Sequence, residues 1–413
     1  MPSRVLVLGL ARSGQAAALA LRAQSVAVVG HDSADSVDVG RLAGAGVEVH
    51  LGTDAEALLE GIDVVIKSPG IPAEAPPLPA ARTRHIPVWS EIELGVRLLG
   101  NPLVGVTGTN GKTTTTALIG AIFEAAGRPV EVAGNIGRPL TSLVGAVSAE
   151  AWLVCELSSF QLEDVETLHP RIAVLLNLEP DHIDRHGSFA AYRRAKLRIF
   201  ENQLPGDVAV VPKGIGTVPG TGDRVEFAGD DPLPAEPLIP GAHNRENATA
   251  AAAAARAAGI SDAAIADALR SFPGVPHRIE EVAEIGGVRF VNDSKATNVA
   301  AARRAVASFE SPLHLILGGL GKHESYAPLA ADLRPGTRAY LIGASAEEIA
   351  AALAAENVPF ERSGDLETAV RAAAAAARPG EVVLLSPACA SYDQFTDFEA
   401  RGDTFRSLVE ELV

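Results

Sequence analysis

The sequence predicts an α/β protein of three domains in series, over residues 1–98, 99–274 and 275–413. Three observations carry this. Short apolar runs alternate with helical stretches along the whole chain. A glycine-rich segment at residues 105–113 joins an apolar run to a helix-like one. Pro273, Gly274 and Pro276 interrupt the chain where a further set of runs begins. At 413 residues the chain also exceeds the ~250–300 that one core supports.

In the first domain, Val5–Leu10, Val26–Gly30, Val47–Leu51 and Val64–Lys67 read as parallel strands. The turn Gly9-Leu10-Ala11-Arg12-Ser13-Gly14 follows the first and Asp32 follows the second, a Rossmann-like arrangement. The glycine spacing is not that of a dinucleotide fingerprint, so a nucleotide's diphosphate suits the turn better than NAD. The central domain reads as P-loop ATPase-like with a mostly parallel sheet. Its strands are Leu103–Val106, Trp152–Leu157 and Ile172–Asn177, with a helix over Thr114–Ala125. Residues 205–240, rich in proline and glycine, read as short strands and loops at its edge, before a helix beginning near Asn244. The third domain, again Rossmann-like, has strands at Val288–Asn292, His314–Leu317, Ala339–Ile342 and Val382–Leu385.

Aromatic residues are only 4% of the chain, so its cores must be built from Ala, Val, Leu and Ile. A formal net charge of −16 argues against nucleic acid or an anionic membrane as partner. Any anionic ligand must meet a locally basic pocket. Cys155 and Cys389 lie far apart in apolar or small-residue surroundings, which fits a reduced, cytoplasmic protein. The apolar run after Arg4 is too short for a signal peptide, and no run reaches the ~18 residues of a membrane span.

The segment Gly105-Val106-Thr107-Gly108-Thr109-Asn110-Gly111-Lys112-Thr113 has the strand–loop–helix setting of a phosphate cradle. Glycines let backbone N–H groups turn inward, Lys112 reaches outer phosphates, and the Thr113 hydroxyl can hold Mg²⁺. The spacing departs from the common loop: five residues separate Gly105 from Gly111, and Val106 stands where the first glycine belongs. A glycine-rich turn with a chance Gly-Lys-Thr is the alternative, which the flanking strand and helix disfavour.

Ionisable groups gather at later strand ends. Glu156 ends one strand, where it can coordinate Mg²⁺ or simply cap a helix. His182, in Asn177-Leu178-Glu179-Pro180-Asp181-His182, can bind metal, orient a phosphate, or face solvent. Taken as a helix at about 100° per residue, 189–201 puts Phe189, Tyr192, Ile199 and Phe200 on one face, with Lys196 inside that stripe. Lys196 is then a snorkelling lysine, or one paired with an anion, or one altered to an anion. In the third domain Asn292–Asn298, Gly318–Lys322 and Ser386–Ser391 each follow a strand and carry Ser, Thr or Lys groups suited to a small anion.

These segments resemble the Mur ligases of peptidoglycan synthesis over essentially the full chain. Gly108-Thr109-Asn110-Gly111-Lys112-Thr113 is similar to their ATP loop, also shared by folylpolyglutamate synthases. Residues 156–163, 192–199, 292–298 and 386–395 resemble the D-glutamate-adding branch. The resemblance implies that the UDP of UDP-N-acetylmuramoyl-L-alanine binds near Leu10, Ala11, Arg12, Ser13, Gly14, Asp32, Ser68, Pro69 and Gly70, with Asn135 contacting the muramoyl substrate and Ser158 also among the substrate-binding residues. It implies that Gly108–Thr114 hold ATP together with Asn244, Asn247, Arg278 and Asp293. Two Mg²⁺ ions fall to Thr113, Glu156, His182 and Lys196, the last matching a lysine that is carbamylated in the family. Lys112, His182 and Lys196 are the implied catalytic groups. Lys295, Thr297, Lys322, Ser391 and Phe398 match the D-glutamate pocket. Leu320 departs from the family, which often has an acid there.

The implied reaction is amide formation through an acyl phosphate and a tetrahedral intermediate, by a cytoplasmic monomer whose domains close about a pivot near Pro273. A folylpolyglutamate synthase or another Mur ligase is the near alternative, and residues 386–395 speak against both. An NAD-dependent oxidoreductase leaves the ATP loop unexplained. A non-catalytic nucleotide switch leaves the third domain's polar clusters unused.

Overall fold

The structure is a computed structural model, and it describes residues 2–239, 241–321 and 324–412. The chain divides into two compact units, one ending at Phe272 and one beginning at Pro273. The first unit holds two sheets. β1 (Arg4–Leu8), β2 (Ala27–Asp32), β3 (Glu48–Leu51), β4 (Val64–Lys67) and β5 (Val88–Ser90) form a parallel sheet of order 3-2-1-4-5. β6 (Leu103–Thr107), β7 (Val130–Gly134), β8 (Trp152–Glu156), β9 (Ile172–Leu175), β10 (Val208–Pro212) and β11 (Asp223–Phe227) form a second, in the order 11-10-9-6-8-7. All its pairings are parallel.

The central strands are buried on both faces, as their unbroken apolar runs require. β1 buries Val5, Leu6, Val7 and Leu8, and β9 buries all four of its residues. In the first sheet the chain reverses direction about β1, so β1 and β4 deliver their C-terminal ends side by side. In the second, β6 lies between β8 and β9, which reach it by crossovers. Those are the crevices where open α/β sheets collect ligands.

The second unit has β12 (Glu280–Ile285), β13 (Val288–Asn292), β14 (Leu313–Gly318), β15 (Arg338–Ile342), β16 (Phe360–Gly364) and β17 (Val382–Leu385), ordered 12-13-17-14-15-16. Only β12 is antiparallel. Inserting β17 between β13 and β14 brings three strand ends together: Asn292, Leu385 and Gly318.

Several elements differ from the expectation. β1 stops at Leu8 rather than Leu10, because Gly9 turns the chain at φ 82°. β5, β7, β12 and β16 went unread; three residues, a glutamate mid-strand, and half-exposed edges leave no long apolar run. The helix expected over 189–201 ends at Leu197 and tightens into a 3₁₀ turn at Arg198–Phe200. Ile199 and Phe200 stay buried, but Phe189 is 38% exposed and leaves the apolar stripe. Among the described residues, no helix is long and apolar enough to cross a membrane.

Candidate active site

The loop after β6 is shaped by two glycines. Gly108 has φ 155°, and a Cβ there would stand 2.9 Å from the Leu176 Cβ. Gly111 caps the helix Lys112–Ala125 at φ 82°, and a Cβ there would meet Asn247 Oδ1 at 2.1 Å. Neither position accepts a side chain without displacement. The loop between them is pinned from β9's end. Asn110 N–H donates to Asn177 Oδ1 at 2.8 Å, Asn177 Nδ2 donates to Asn110 O at 3.3 Å, and Asn110 Nδ2 donates to Glu179 at 2.9 Å. Thr109 Oγ1 meets both the Glu179 backbone and the Tyr192 hydroxyl, the latter at 2.9 Å. The extra residue relative to a common phosphate loop is therefore absorbed by side-chain ties, Asn110 to Asn177 and Glu179. Lys112 Nζ reaches back to Gly108 O and Thr109 O at 2.9 and 2.8 Å. Thr114 is buried in the helix's first turn.

Glu156, 2% exposed at the end of β8, faces this loop. Its Oε2 accepts from Thr113 Oγ1 and its Oε1 from Asn135 Nδ2, both at 2.8 Å. A carboxylate and a hydroxyl beside a phosphate cradle are hard oxygen donors, the set Mg²⁺ takes alongside phosphates and water. Ser158 caps the short helix Ser159–Leu162 in a capping box with Gln161, so its hydroxyl already has structural work.

Lys196 is 2% exposed, and its Nζ donates to Gly108 O at 2.7 Å. The Tyr192 ring lies 4.8 Å below that nitrogen. Burial and then the charge of Lys112, whose ammonium shares the Gly108 carbonyl, push the Lys196 pKa down to about 6. Both effects favour the neutral amine. An amine is not a Mg²⁺ donor of the usual oxygen kind, so Lys196 fits a metal only once carboxylated. His182 sits exposed at φ 51°, 3.6 Å from Asp181 and with its ring 4.9 Å from Phe160. Among the described residues, no three His, Cys, Asp or Glu side chains form a ready metal cluster.

At the first sheet, Asp32 spends both carboxylate oxygens on backbone: Leu10 N–H at 2.7 Å and Ala34 N–H at 3.0 Å. It shapes the turn Leu10–Gly14. Gly14 packs so tightly that a Cβ would stand 1.8 Å from Gly9 O, and Ser68 Oγ donates to that same carbonyl at 2.8 Å. Ala11 N-caps the helix Arg12–Ala23 with no side-chain hydrogen bond, leaving its first N–H groups for a ligand. The Ser13 hydroxyl is buried without a partner, Arg12 is exposed, and Pro69 and Gly70 form the outer loop after β4. A cavity of about 360 Å³ opens beside this turn, lined mainly by apolar atoms of Leu8, Ile71, Pro72 and Pro76, with His31 and Asp54.

In the helix Ala242–Ala257, Asn244 and Asn247 stand one turn apart, and Asn247 is buried against the phosphate loop. In the second unit, Asp293 follows β13. It accepts from Ser386 Oγ at 2.8 Å and Ile279 N–H at 3.2 Å. Burial drives its pKa up to about 7, against the pull of Ser386 and then Arg278. Lys295 and Thr297 are half-buried on the same loop, Lys295 Nζ lies 5.6 Å from the Phe398 ring, and Ser391 is buried after β17. Lys322 lies outside the described residues.

Sequence reasoning missed Arg401. It is 1% exposed, and its guanidinium donates to Ser294 Oγ and O, Ala390 O and Cys389 O. It thereby clamps the two loops that carry Lys295 and Ser391. The signal was available: in the helix Phe398–Glu410 the buried stripe runs Arg401, Phe405, Leu408, Val409. This is a cation inside an apolar face, the anomaly that singled out Lys196.

A phosphate loop on one parallel sheet, a nucleotide-type turn on another and a polar cluster on a third define a multi-sheet nucleotide-dependent enzyme fold. Family models place it further. The Mur ligase MurD-like N-terminal domain matches residues 3–90, the Mur ligase middle domain 106–215, and the Mur ligase glutamate ligase domain 277–389. The chain is 42% identical to the UDP-N-acetylmuramoylalanine--D-glutamate ligase of Acidobacterium capsulatum, over 98% of this chain and 96% of that protein. It is 42% identical to the ligase of the same name from Myxococcus xanthus, over 99% and 98%. Its fold is similar to the UDP-N-acetylmuramate-alanine ligase MurC of Thermotoga maritima, with TM-score 0.61 and 18% identity over 100% of both chains. The MurF ligase of Thermotoga maritima in complex with ADP also scores 0.61, at 18% identity over 94% and 96%. The chain belongs to the Mur ligase family.

Proposed function

We propose that this chain is an ATP-dependent ligase that joins D-glutamate to the L-alanyl carboxylate of UDP-N-acetylmuramoyl-L-alanine, a cytoplasmic step of peptidoglycan synthesis. The observation that carries the reading is the convergence of Thr113, Glu156 and buried Lys196 on one glycine loop. Similarity to D-glutamate ligases over nearly the whole chain supports the choice of substrates. Two buried free cysteines suit a reducing compartment.

In this reading the UDP moiety lies across the Leu10–Gly14 turn, with its diphosphate at the open helix N-terminus and a flat ring in the adjoining cavity. Asn135 directs the substrate's alanyl end. The loop N–H groups and Lys112 hold the ATP phosphates, with Asn244, Asn247, Arg278 and Asp293 serving the rest of the nucleotide. The alanyl carboxylate attacks the γ-phosphorus, ADP leaves, and an acyl phosphate forms. The D-glutamate amine, held by Lys295, Thr297, Ser391 and Phe398, then attacks the carbonyl carbon. The tetrahedral adduct collapses as phosphate leaves and the nitrogen gives up a proton, leaving the amide.

Thr113 and Glu156 would hold one Mg²⁺, and His182 with a carboxylated Lys196 a second; together they offset charge on the transferring phosphoryl group. The neutral Lys196 amine is the form that takes up CO₂, and burial maintains it. Conversion to a carbamate replaces a buried amine, which cannot hold its proton beside Lys112, with an anion that Lys112 can pair with.

The test is phosphate release from ATP and UDP-N-acetylmuramoyl-L-alanine with single amino acids. Release that requires D-glutamate is expected. Release indifferent to it, or preferring L-lysine or diaminopimelate, contradicts the assignment.

A further inference from the structure

The backbone of His182 needs support. A φ of 51° is costly for a residue other than glycine, and such conformations persist where neighbours over-determine them. Its own side chain supplies little, being half exposed with Asp181 at 3.6 Å. The support comes from the other end of the same short helix, Ile183–His186.

The His186 side chain is 1% exposed. Its Nδ1 stands 2.9 Å from Glu163 Oε1, and its Nε2 stands 2.9 Å from Ser159 Oγ. The Glu163 carboxylate accepts from Nδ1–H and so sets the tautomer, leaving Nε2 to accept from the serine hydroxyl. The imidazole stacks on Phe160, with centroids 5.2 Å apart and planes within 6°. The Arg185 guanidinium lies 4.3 Å from the same ring. Phe160 in turn is the ring against His182. Glu163 is itself anchored. Its Oε2 is 3.8 Å from the buried Lys67 ammonium, which also touches Asp164 at 2.5 Å as an ion pair rather than an aligned hydrogen bond. Removing Glu163 therefore leaves Lys67 a carboxylate partner.

We propose that Glu163 and His186 are positioning residues for His182, fixing its imidazole by locking the helix end and the Phe160 ring beside it. The geometry stands alone; its kinetic consequence rests on the role given to His182 above. Groups that orient a metal-binding histidine are worth about 10–100-fold in activity when removed, and here they act through the helix and the Phe160 ring.

The test uses the full chain and the variants Glu163→Ala, His186→Ala and Glu163→Gln. Histidine ring signals are recorded by NMR without nucleotide, and His182 is identified by the signal missing in His182→Gln. In the parent protein the His182 ring protons carry the ring-current shift of Phe160. That shift is lost in Glu163→Ala and His186→Ala and kept in Glu163→Gln, whose amide oxygen still accepts from Nδ1–H. In D-glutamate-dependent phosphate release the two alanine variants lose about 10–100-fold in kcat, with KM for D-glutamate within about threefold. Glu163→Gln recovers most of it. Unchanged His182 shifts in both alanine variants overturn the proposal, as does a glutamine variant that behaves like alanine. If the shifts move as described but the parent lacks D-glutamate-dependent turnover, positioning holds and the ligase reading fails.

Discussion

Two buried cations occupy equivalent positions in helix stripes and have opposite fates. Lys196 in the first unit donates one described hydrogen bond, to Gly108 O, and lies near a second ammonium, Lys112. Arg401 in the second unit places four hydrogen bonds on three residues and has no cation forced upon it. Burial lowers both pKa values, the lysine to about 6 and the arginine only to about 10. The lysine is thus driven towards its neutral, nucleophilic form with one described hydrogen bond, while the arginine stays charged with four. Burial alone does not make a reactive residue; burial with too few partners does.

The largest separation between the two is expected in catalysis. Lys196→Ala should lower D-glutamate-dependent phosphate release by about 100–1,000-fold, the scale for removing one charge stabiliser, and short carboxylates should restore part of it. Unimpaired turnover by that variant removes Lys196 from the mechanism. Arg401→Met should instead act on binding. Ala390 O keeps Leu320 N–H and the Ser294 hydroxyl keeps Phe398 O, but Ser294 O and Cys389 O lose their donor, which predicts about 2–4 kcal/mol of lost stability and a KM for D-glutamate raised about 10-fold or more, with KM for ATP unmoved. Arg401→Lys, which keeps charge but not the fork, should fall between.

The pH dependence of stability separates the pair again. Between about pH 6 and 10.5 the unfolded state holds a proton on Lys196 that the folded state does not. Stability contributed by this site therefore rises with pH across that window, and the penalty is complete below about 6. Urea midpoints from pH 6 to 9 should rise less steeply in Lys196→Met. Arg401→Met should leave that slope as it was, because Arg401 stays protonated over the range. The smallest effect is expected for Tyr192→Phe. It keeps the ring beside Lys196 and loses only the hydroxyl to Thr109, for about 1 kcal/mol or roughly fivefold in kcat/KM.

The sequence made the fold legible wherever a strand is buried on both faces. β17 is an unbroken apolar run and was read to the residue, as were β4, which ends in Lys67, and β13, which keeps Val288, Phe290 and Val291 around Arg289. Edge strands such as β12 and β16 mix Glu and Arg into half-exposed faces and leave no such trace. The same limit governs the site. Gly108, Glu156 and Asp293 were visible because they end or directly follow strands. Asn177 was visible only as a member of a polar cluster; its grip on both sides of Asn110 needs the register of β9 against β6. Asp32 was read as a ligand group, and one of its oxygens also holds the Leu10 turn while the other holds Ala34 in its own loop, a structural duty that spacing cannot reveal. Arg401 was legible by the wheel that found Lys196. Its acceptors come from residues about a hundred positions earlier and ten before it, which no local pattern joins.

The claim that Lys196 is held neutral for carboxylation is open to direct observation. Protein equilibrated with ¹³C-bicarbonate near neutral pH should show one carbamate resonance by ¹³C NMR, absent from Lys196→Met, retained in Arg401→Lys, and lost on acidification below about pH 6. An enzyme fully active with D-glutamate that shows no such resonance would contradict the account.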